Sequence, residues 1–325
     1  MDSKRPSGGV YDAQHGIDVS VGDNVDYSKL ASCGGKFAVV RINHSITKNG
    51  QVAGPIDEQF ASHIREFSAH NIAGIPYFYF SLPRSFKQLQ ALNKVFPDDE
   101  FQSYRQRYTE FGRKAAEVFL KYVEQLTTGA DAPAVGEASI AGLRAKFVAL
   151  DVEELPTDAE GRASTTTSRK NYGRLYAAAV CAWISRIRIQ EPGFVPILYT
   201  FPAIYGDYLQ YALPEDYACL QGLPVWIART YGNGWEAIRD PDTSHCAKHE
   251  STICTTDRYV KLTCEVQSGN RCIVHQYTHR GTPFALGPRE KNGFPRHFDF
   301  DRFYVSKISP TNSTPQYVRV EDSFR

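Results

Sequence analysis

FVALDVEELP, residues 147–156, is an apolar run that breaks into three carboxylates, Asp151, Glu153 and Glu154, and stops at Pro156. An extended strand sets side chains i and i+2 on one face, about 6–7 Å apart, so Asp151 and Glu153 point one way and Glu154 the other. Two acids on one face repel. They must be solvated, paired with cations, or used by chemistry that needs one protonated and one ionised carboxyl. Acids after a strand also cap helices or sit in loops, so the rest of the chain has to decide.

Comparable β-prone runs recur at FAVVRI (37–42), IPYFYF (75–80), VPILYT (195–200), VWIAR (225–229) and CIVHQYT (272–278). Helical patterns lie between several of them. Tyr176, Val180, Trp183, Ile184 and Ile187 keep the spacing of one helix face within 168–190, and Pro192-Gly193 ends that helix before the next strand. Residues 57–70 read the same way. Nearly all-apolar strands alternating with helices predict a parallel α/β sheet or barrel rather than a sandwich.

Two stretches interrupt this rhythm and are expected as insertions on one scaffold. Residues 84–145 carry a charged helical segment followed by a loop of small residues, and residues 236–271 are polar and cysteine-rich. The expected organisation is an extension over 1–15, one catalytic barrel over 16–305 and a tail over 306–325.

At 325 residues with 42% hydrophobic and 22% charged side chains, the composition is that of a globular enzyme with room for a large core. A net charge of +1 supplies no bulk field for nucleic acid or an anionic membrane, so neither is expected as a partner. The N-terminal MDSKRPSGGVYDAQHG has no apolar h-region, and no run approaches a membrane span. Neither a Sec-type signal nor an integral membrane segment is expected.

Of the seven cysteines, Cys246, Cys254, Cys264 and Cys272 crowd together at spacings unlike paired C-x-x-C zinc ligands. Two disulfides are expected among them, which implies an oxidising destination. Cys33, Cys181 and Cys219 are scattered, with Cys181 read as plain core. No cysteine stands in a nucleophile context, and Gly34-Gly35-Lys36 lacks the spacing of a phosphate loop. No cofactor or metal is called for.

In a barrel of parallel strands the site forms at the carboxyl ends, several strands each giving a group. Asp151 and Glu153 fall where a strand should end; GIDVS (16–20) brings Asp18, and FDFDRF (298–303) brings Asp299 and Asp301. Asp301 is read as a surface partner of Arg302 or Arg296.

The ordered set GIDVS, LDVEE (150–154), PILYT (196–200), VWIAR, HQYT (275–278) and FDFDRF resembles the glycoside hydrolase family 25 lysozymes, the Chalaropsis-type muramidases. That resemblance implies an α/β fold, an irregular, flattened TIM-like (β/α) barrel, and hydrolysis of the β-1,4 bond between N-acetylmuramic acid and N-acetylglucosamine in peptidoglycan. Glu153 matches the family's acid catalyst, and Asp151, Asp18 and Asp299 match the carboxylates around it. Tyr79, Tyr199, Trp226, Gln276 and Tyr277 are the expected sugar-binding groups. The family's W-Q-Y-T reads His275-Gln276-Tyr277-Thr278 here, so an aromatic wall is missing or comes from Trp226 or Trp235.

On this reading the neighbouring aspartates raise the pKa of Glu153 by like-charge repulsion and keep it protonated as general acid. Asp151 either attacks as nucleophile or orients the substrate's N-acetyl group, and the strand spacing cannot choose between them. A hydrolase of chitin-like N-acetylglucosamine polymers and a non-catalytic glycan-binding barrel are the competing functions. The expected setting is a lysin or antibacterial effector, made in the cytoplasm and acting in the periplasm or cell wall after lysis or delivery by a secretion system. A producer's immunity protein plugging the acidic cleft is the expected protein partner.

Overall fold

The computed structural model describes residues 13–32, 35–46, 51–83, 92, 94–127, 137–140, 143–154, 165–200, 202–221, 223–228, 272–281, 298–304, 308–309 and 316–317. The apolar runs become strands β1 (Ala13–Val19), β2 (Gly35–Arg41), β3 (Ala73–Tyr79), β5 (Leu143–Asp151), β6 (Phe194–Thr200), β7 (Val225–Ala228), β8 (Cys272–Gly281) and β9 (Phe298–Tyr304). A short β4 (Glu137–Ile140) pairs antiparallel with the start of β5. Neighbours run parallel from β1 through β2, β3, β5, β6 and β7 to β8, and the β3–β5 pairing joins the two halves. β9 lies antiparallel between β8 and β1, which closes the ring. This is an irregular α/β barrel. A separate small ladder pairs Ile308–Ser309 with Gln316–Tyr317.

Alternation along the strands sorts two cores. Phe37 and Val39 of β2, Ala73, Ile75 and Tyr77 of β3, Phe147 and Ala149 of β5, and Ile197 and Tyr199 of β6 pack together inside the barrel. Their alternates, including Ala38, Val40, Phe78, Val148, Leu150 and Leu198, pack outward against the helices. Strands buried on both faces have to be apolar at nearly every position, which is why they read as continuous runs.

The helices are α1 (Tyr27–Ser32), α2 (Phe60–Ala69), α3 (Asp98–Thr127), α4 (Thr166–Gln190), α5 (Pro202–Asp207) and α6 (Pro214–Gln221). α4 starts where the Thr165 side chain accepts from the Ser168 N–H, satisfying one of the first-turn donors. Phe78 of β3 sits in an aromatic nest with Phe119 and Trp183, at ring-centroid distances of 5.8 and 6.2 Å.

The charged segment expected as part of an insertion is, over α3, a crossover helix between β3 and β5. Tyr108, Phe111, Ala115, Ala116, Phe119 and Val123 form its buried stripe, while its charges lie on the other side. The helix therefore belongs to the core. Gly112 lets it approach α4 closely, since a Cβ there would lie 2.0 Å from the Ala179 carbonyl oxygen. The cysteine-rich stretch 236–271, the 1–12 part of the extension and Cys246, Cys254 and Cys264 lie outside the described residues.

Candidate active site

The inward-facing series turns from apolar to polar at the carboxyl ends of the strands. Phe147 and Ala149 are followed by Asp151 and then Glu153; Phe37 and Val39 by Arg41; Ile75 and Tyr77 by Tyr79. That answers the oddity of residues 147–156: one alternating face builds the barrel floor and then the site. Ladder bonds hold the turnover point, with Phe80 N donating to the Asp151 carbonyl at 3.0 Å and Val152 N to that of Tyr199 at 2.9 Å. Asp151 thus stands level with Tyr79 on one neighbouring strand and Tyr199 on the other.

Asp151 is 5% exposed, and its Oδ1 is buried without a hydrogen-bond partner among the described residues. Burial pushes its pKa well above the usual carboxylate range, Glu153 and Glu154 add to the rise, and the Arg41 guanidinium opposes it. Glu153 is half-buried, and its carboxyl is raised by burial first and Glu154 second, with Arg41 again opposing. Like-charge repulsion from the aspartates was the expected cause; among the described residues desolvation outweighs it, because the strand end sinks both acids into the barrel mouth.

Glu154 lies past the end of β5, where strand alternation no longer holds, and its charge bears on Tyr79, Asp151 and Glu153. Its carboxylate accepts from Ser81 Oγ and the Leu82 N–H, both at 2.8 Å, and its carbonyl accepts from Tyr172 Oη at 3.1 Å. It ties the segment after β3 to the end of β5. Asn43 makes a similar tie on the far side of β3, accepting from Tyr79 N at 2.9 Å and donating to Tyr79 O at 3.1 Å.

Asp18 is half-buried near the carboxyl end of β1 and stands opposite Asp299 in the β1–β9 register. It belongs to the same constellation as Asp151, because both charges bear on the Tyr77 hydroxyl, whose pKa burial drives upward before they add to it. Gln276 aligns with Ala228 on β7, and Tyr277 lies at an irregularity of the β8–β9 ladder. The side chains of Asp299, Gln276 and Tyr277 lie outside the described residues.

Tyr79 is half-buried beside Glu154, Glu153 and Asp151, with its hydroxyl hydrogen-bonded to Ser45. Trp226 is 2% exposed, and Tyr199 is 8% exposed. Their rings meet at 4.3 Å, and Trp226 also meets Tyr77 edge-on at 6.1 Å. These two aromatics line the barrel at the level of Asp151. Tyr79 is the one of the three that reaches the rim.

Arg41 and Tyr77 were not singled out from sequence. The signal was present in FAVVRI and IPYFYF as the inward alternation Phe37, Val39, Arg41 and Ile75, Tyr77, Tyr79. Close by, His44, Asp57 and Glu58 bring ligand-type atoms within 4.8 Å of one another. Their charges are met within the protein: His44 Nε2 lies 3.0 Å from Glu58 Oε2, and Arg41 Nε lies 3.7 Å from Asp57 Oδ2. Among the described residues no helix is long and apolar enough to cross a membrane.

No protein-family profile and no curated protein matches the chain in sequence. Solved structures do. The spore cortex lytic enzyme SleM of Clostridium perfringens superposes with a TM-score of 0.52 at 18% identity, covering 90% of this chain and 67% of that one. The barrel is one the two proteins share. GHIP, a glycosyl hydrolase 25 of Streptococcus pneumoniae, gives 0.46 at 16% identity over 93% of this chain and 89% of its own. The family GH25 lysozyme of Aspergillus fumigatus gives 0.46 at 13% identity over 90% and 93%.

Proposed function

We propose that the chain is a muramidase, hydrolysing the β-1,4 bond between N-acetylmuramic acid and N-acetylglucosamine in peptidoglycan with Glu153 as general acid. One observation carries this reading: a half-buried glutamate with a raised pKa stands two residues from a buried aspartate, at the carboxyl end of a barrel strand. The motif order that resembles family 25 lysozymes supports it. So does the barrel shared with SleM, which is described as a spore cortex lytic enzyme.

Glycoside cleavage needs a proton at the leaving oxygen and negative charge near the oxocarbenium-like carbon. Glu153 gives its proton to the glycosidic oxygen as the bond to the anomeric carbon breaks. The electron-deficient carbon is met by the Asp151 carboxylate or by the substrate's own N-acetyl oxygen, held by Asp151. Water then adds at that carbon and returns its proton to Glu153, so the net change is hydrolysis. Both routes need an anionic Asp151 at the transition state, and Arg41 is the described cation that works against its burial. Tyr79 at the rim is suited to stack on a sugar ring, and Asp18 adds negative potential from across the barrel.

In this reading the enzyme is a lysin or antibacterial effector that meets peptidoglycan outside the cytoplasmic membrane, and a producer's immunity protein covers the acidic cleft. Reduction of the digested glycan with borohydride tests the bond cleaved. New reduced ends at muramic acid are expected; reduced ends at glucosamine would move the activity to a different bond. Full activity in the presence of every gene product encoded beside it would remove the immunity partner.

A further inference from the structure

Two cysteines that the catalytic reading leaves unused face each other across the helical layer. Cys181 lies in the middle of α4, 6% exposed, and donates its thiol hydrogen to the Asp216 carbonyl on α6 at 3.2 Å. Cys219 follows Asp216 by three residues, so it shares that face of α6. The Cys181 and Cys219 side chains lie within hydrogen-bonding reach of each other. Cys219 is partly exposed, while Cys181 is buried.

α6 is pinned from a second direction. The Asp216 carboxylate is held by Arg105 of α3 at 3.0 Å, and the same guanidinium reaches Glu215 at 2.9 Å. The sulfurs are therefore kept in contact by two independent anchors on one turn of helix. A single buried thiol needs no more explanation than a small apolar side chain does. Two thiols in contact, one buried and one partly exposed, have the arrangement of an attacking and a resolving pair.

We infer that Cys181 and Cys219 are a redox-modifiable pair, closing to a disulfide between α4 and α6 when the protein meets a low-molecular-weight disulfide as oxidant. The more exposed Cys219 sulfur, as thiolate, attacks one sulfur of the oxidant and expels the other as a thiolate. Cys181 gives up its proton, attacks the Cys219 sulfur of the mixed disulfide and expels the second thiolate. The two protein thiols lose two electrons and two protons; the oxidant becomes two thiols. The polarity of the pair fits this order: when Cys219 ionises, the Cys181 thiol hydrogen can turn from the Asp216 carbonyl to the Cys219 sulfur, and that contact first, with Arg188 nearby, favours the thiolate of Cys219 while holding Cys181 protonated. The bond would tie α6 to the layer that backs the barrel and limit its opening in the unfolded chain.

The test is a non-reducing peptide map of the full chain after equilibration in glutathione buffers and alkylation of the remaining thiols. A peptide cross-linked between Cys181 and Cys219 is expected, its share rising with the disulfide content of the buffer. In Cys181→Ser a glutathione adduct should collect on Cys219, whereas in Cys219→Ser, Cys181 should stay unmodified in the native protein. Oxidation should raise the melting temperature of the wild type by roughly 5 °C more than that of either variant. Recovery of both cysteines as alkylated thiols at every buffer ratio, or of either joined to another cysteine, would overturn the inference. The wild-type map stands even where a variant fails to fold, and none of these readouts depends on the proposed activity.

Discussion

Glu154 grips Ser81 across the seam between β5 and β3, accepting its hydroxyl hydrogen at 2.8 Å. The same carboxylate holds the Leu82 N–H, so adjacent glutamates divide the work: one fixes the loop, the other faces the barrel mouth. Glu154→Ala leaves two donors without their acceptor and should cost about 1–3 kcal/mol in urea unfolding. It also removes a charge that raises the Glu153 carboxyl. The high-pH limb of the activity profile should then move to lower pH, which a purely structural Glu154 would not cause.

Asp151 should burden the fold at neutral pH. Its folded pKa lies well above the unfolded value because it is buried. The folded state therefore binds more protons than the unfolded chain between those two values, and stability falls as pH rises through that window. Below the ordinary carboxylate range the penalty is absent. Asp151→Asn should unfold later than the wild type at pH 7, by on the order of 2 kcal/mol, with the gap closing in acid and activity lost throughout. Chemical denaturation at a series of pH values reads the difference.

Arg41 offsets the burial of both Asp151 and Glu153. Arg41→Gln should raise both carboxyls further, shift the high-pH limb of activity upward and lower kcat by about 10–100-fold. Arg41→Lys should retain most of the rate. An unchanged pH profile in Arg41→Gln would reduce Arg41 to a partner of Asp57.

The α3–α4 contact gives a prediction independent of chemistry. Gly112→Ala would place a methyl 2.0 Å from the Ala179 carbonyl oxygen, with backbone rather than a flexible side chain in the way. The helices must part, at a cost of about 3 kcal/mol. A thermal melt shows this directly, and catalysis at low temperature should survive.

Strands were legible in the sequence because burial on both faces demands continuous apolar runs, as in Phe147 to Leu150. Strand direction was not: β9 lies antiparallel to both neighbours, and nothing in the alternation of FDFDRF distinguishes that from a parallel strand. The charged segment of α3 reads as part of an insertion because its outer charges hide a stripe of small and aromatic residues that shows only once β3 and α4 are beside it. The acids of β5 were readable from their spacing. Arg41 and Tyr77 were not, since each sits within an apolar run and gains meaning from a partner on another strand. The cause of the raised Glu153 pKa was also beyond reach, because desolvation is set by how deep the strand end lies in the barrel.

The most direct test is a digest of purified peptidoglycan by the wild type and by Glu153→Gln, with the reduced products separated by mass. Disaccharide-peptides ending in reduced muramic acid should accumulate with the wild type and fall by about 10²–10⁴-fold with a folded Glu153→Gln. No release by the wild type, or equal release by the variant, would contradict the central claim and return LDVEE to a structural role.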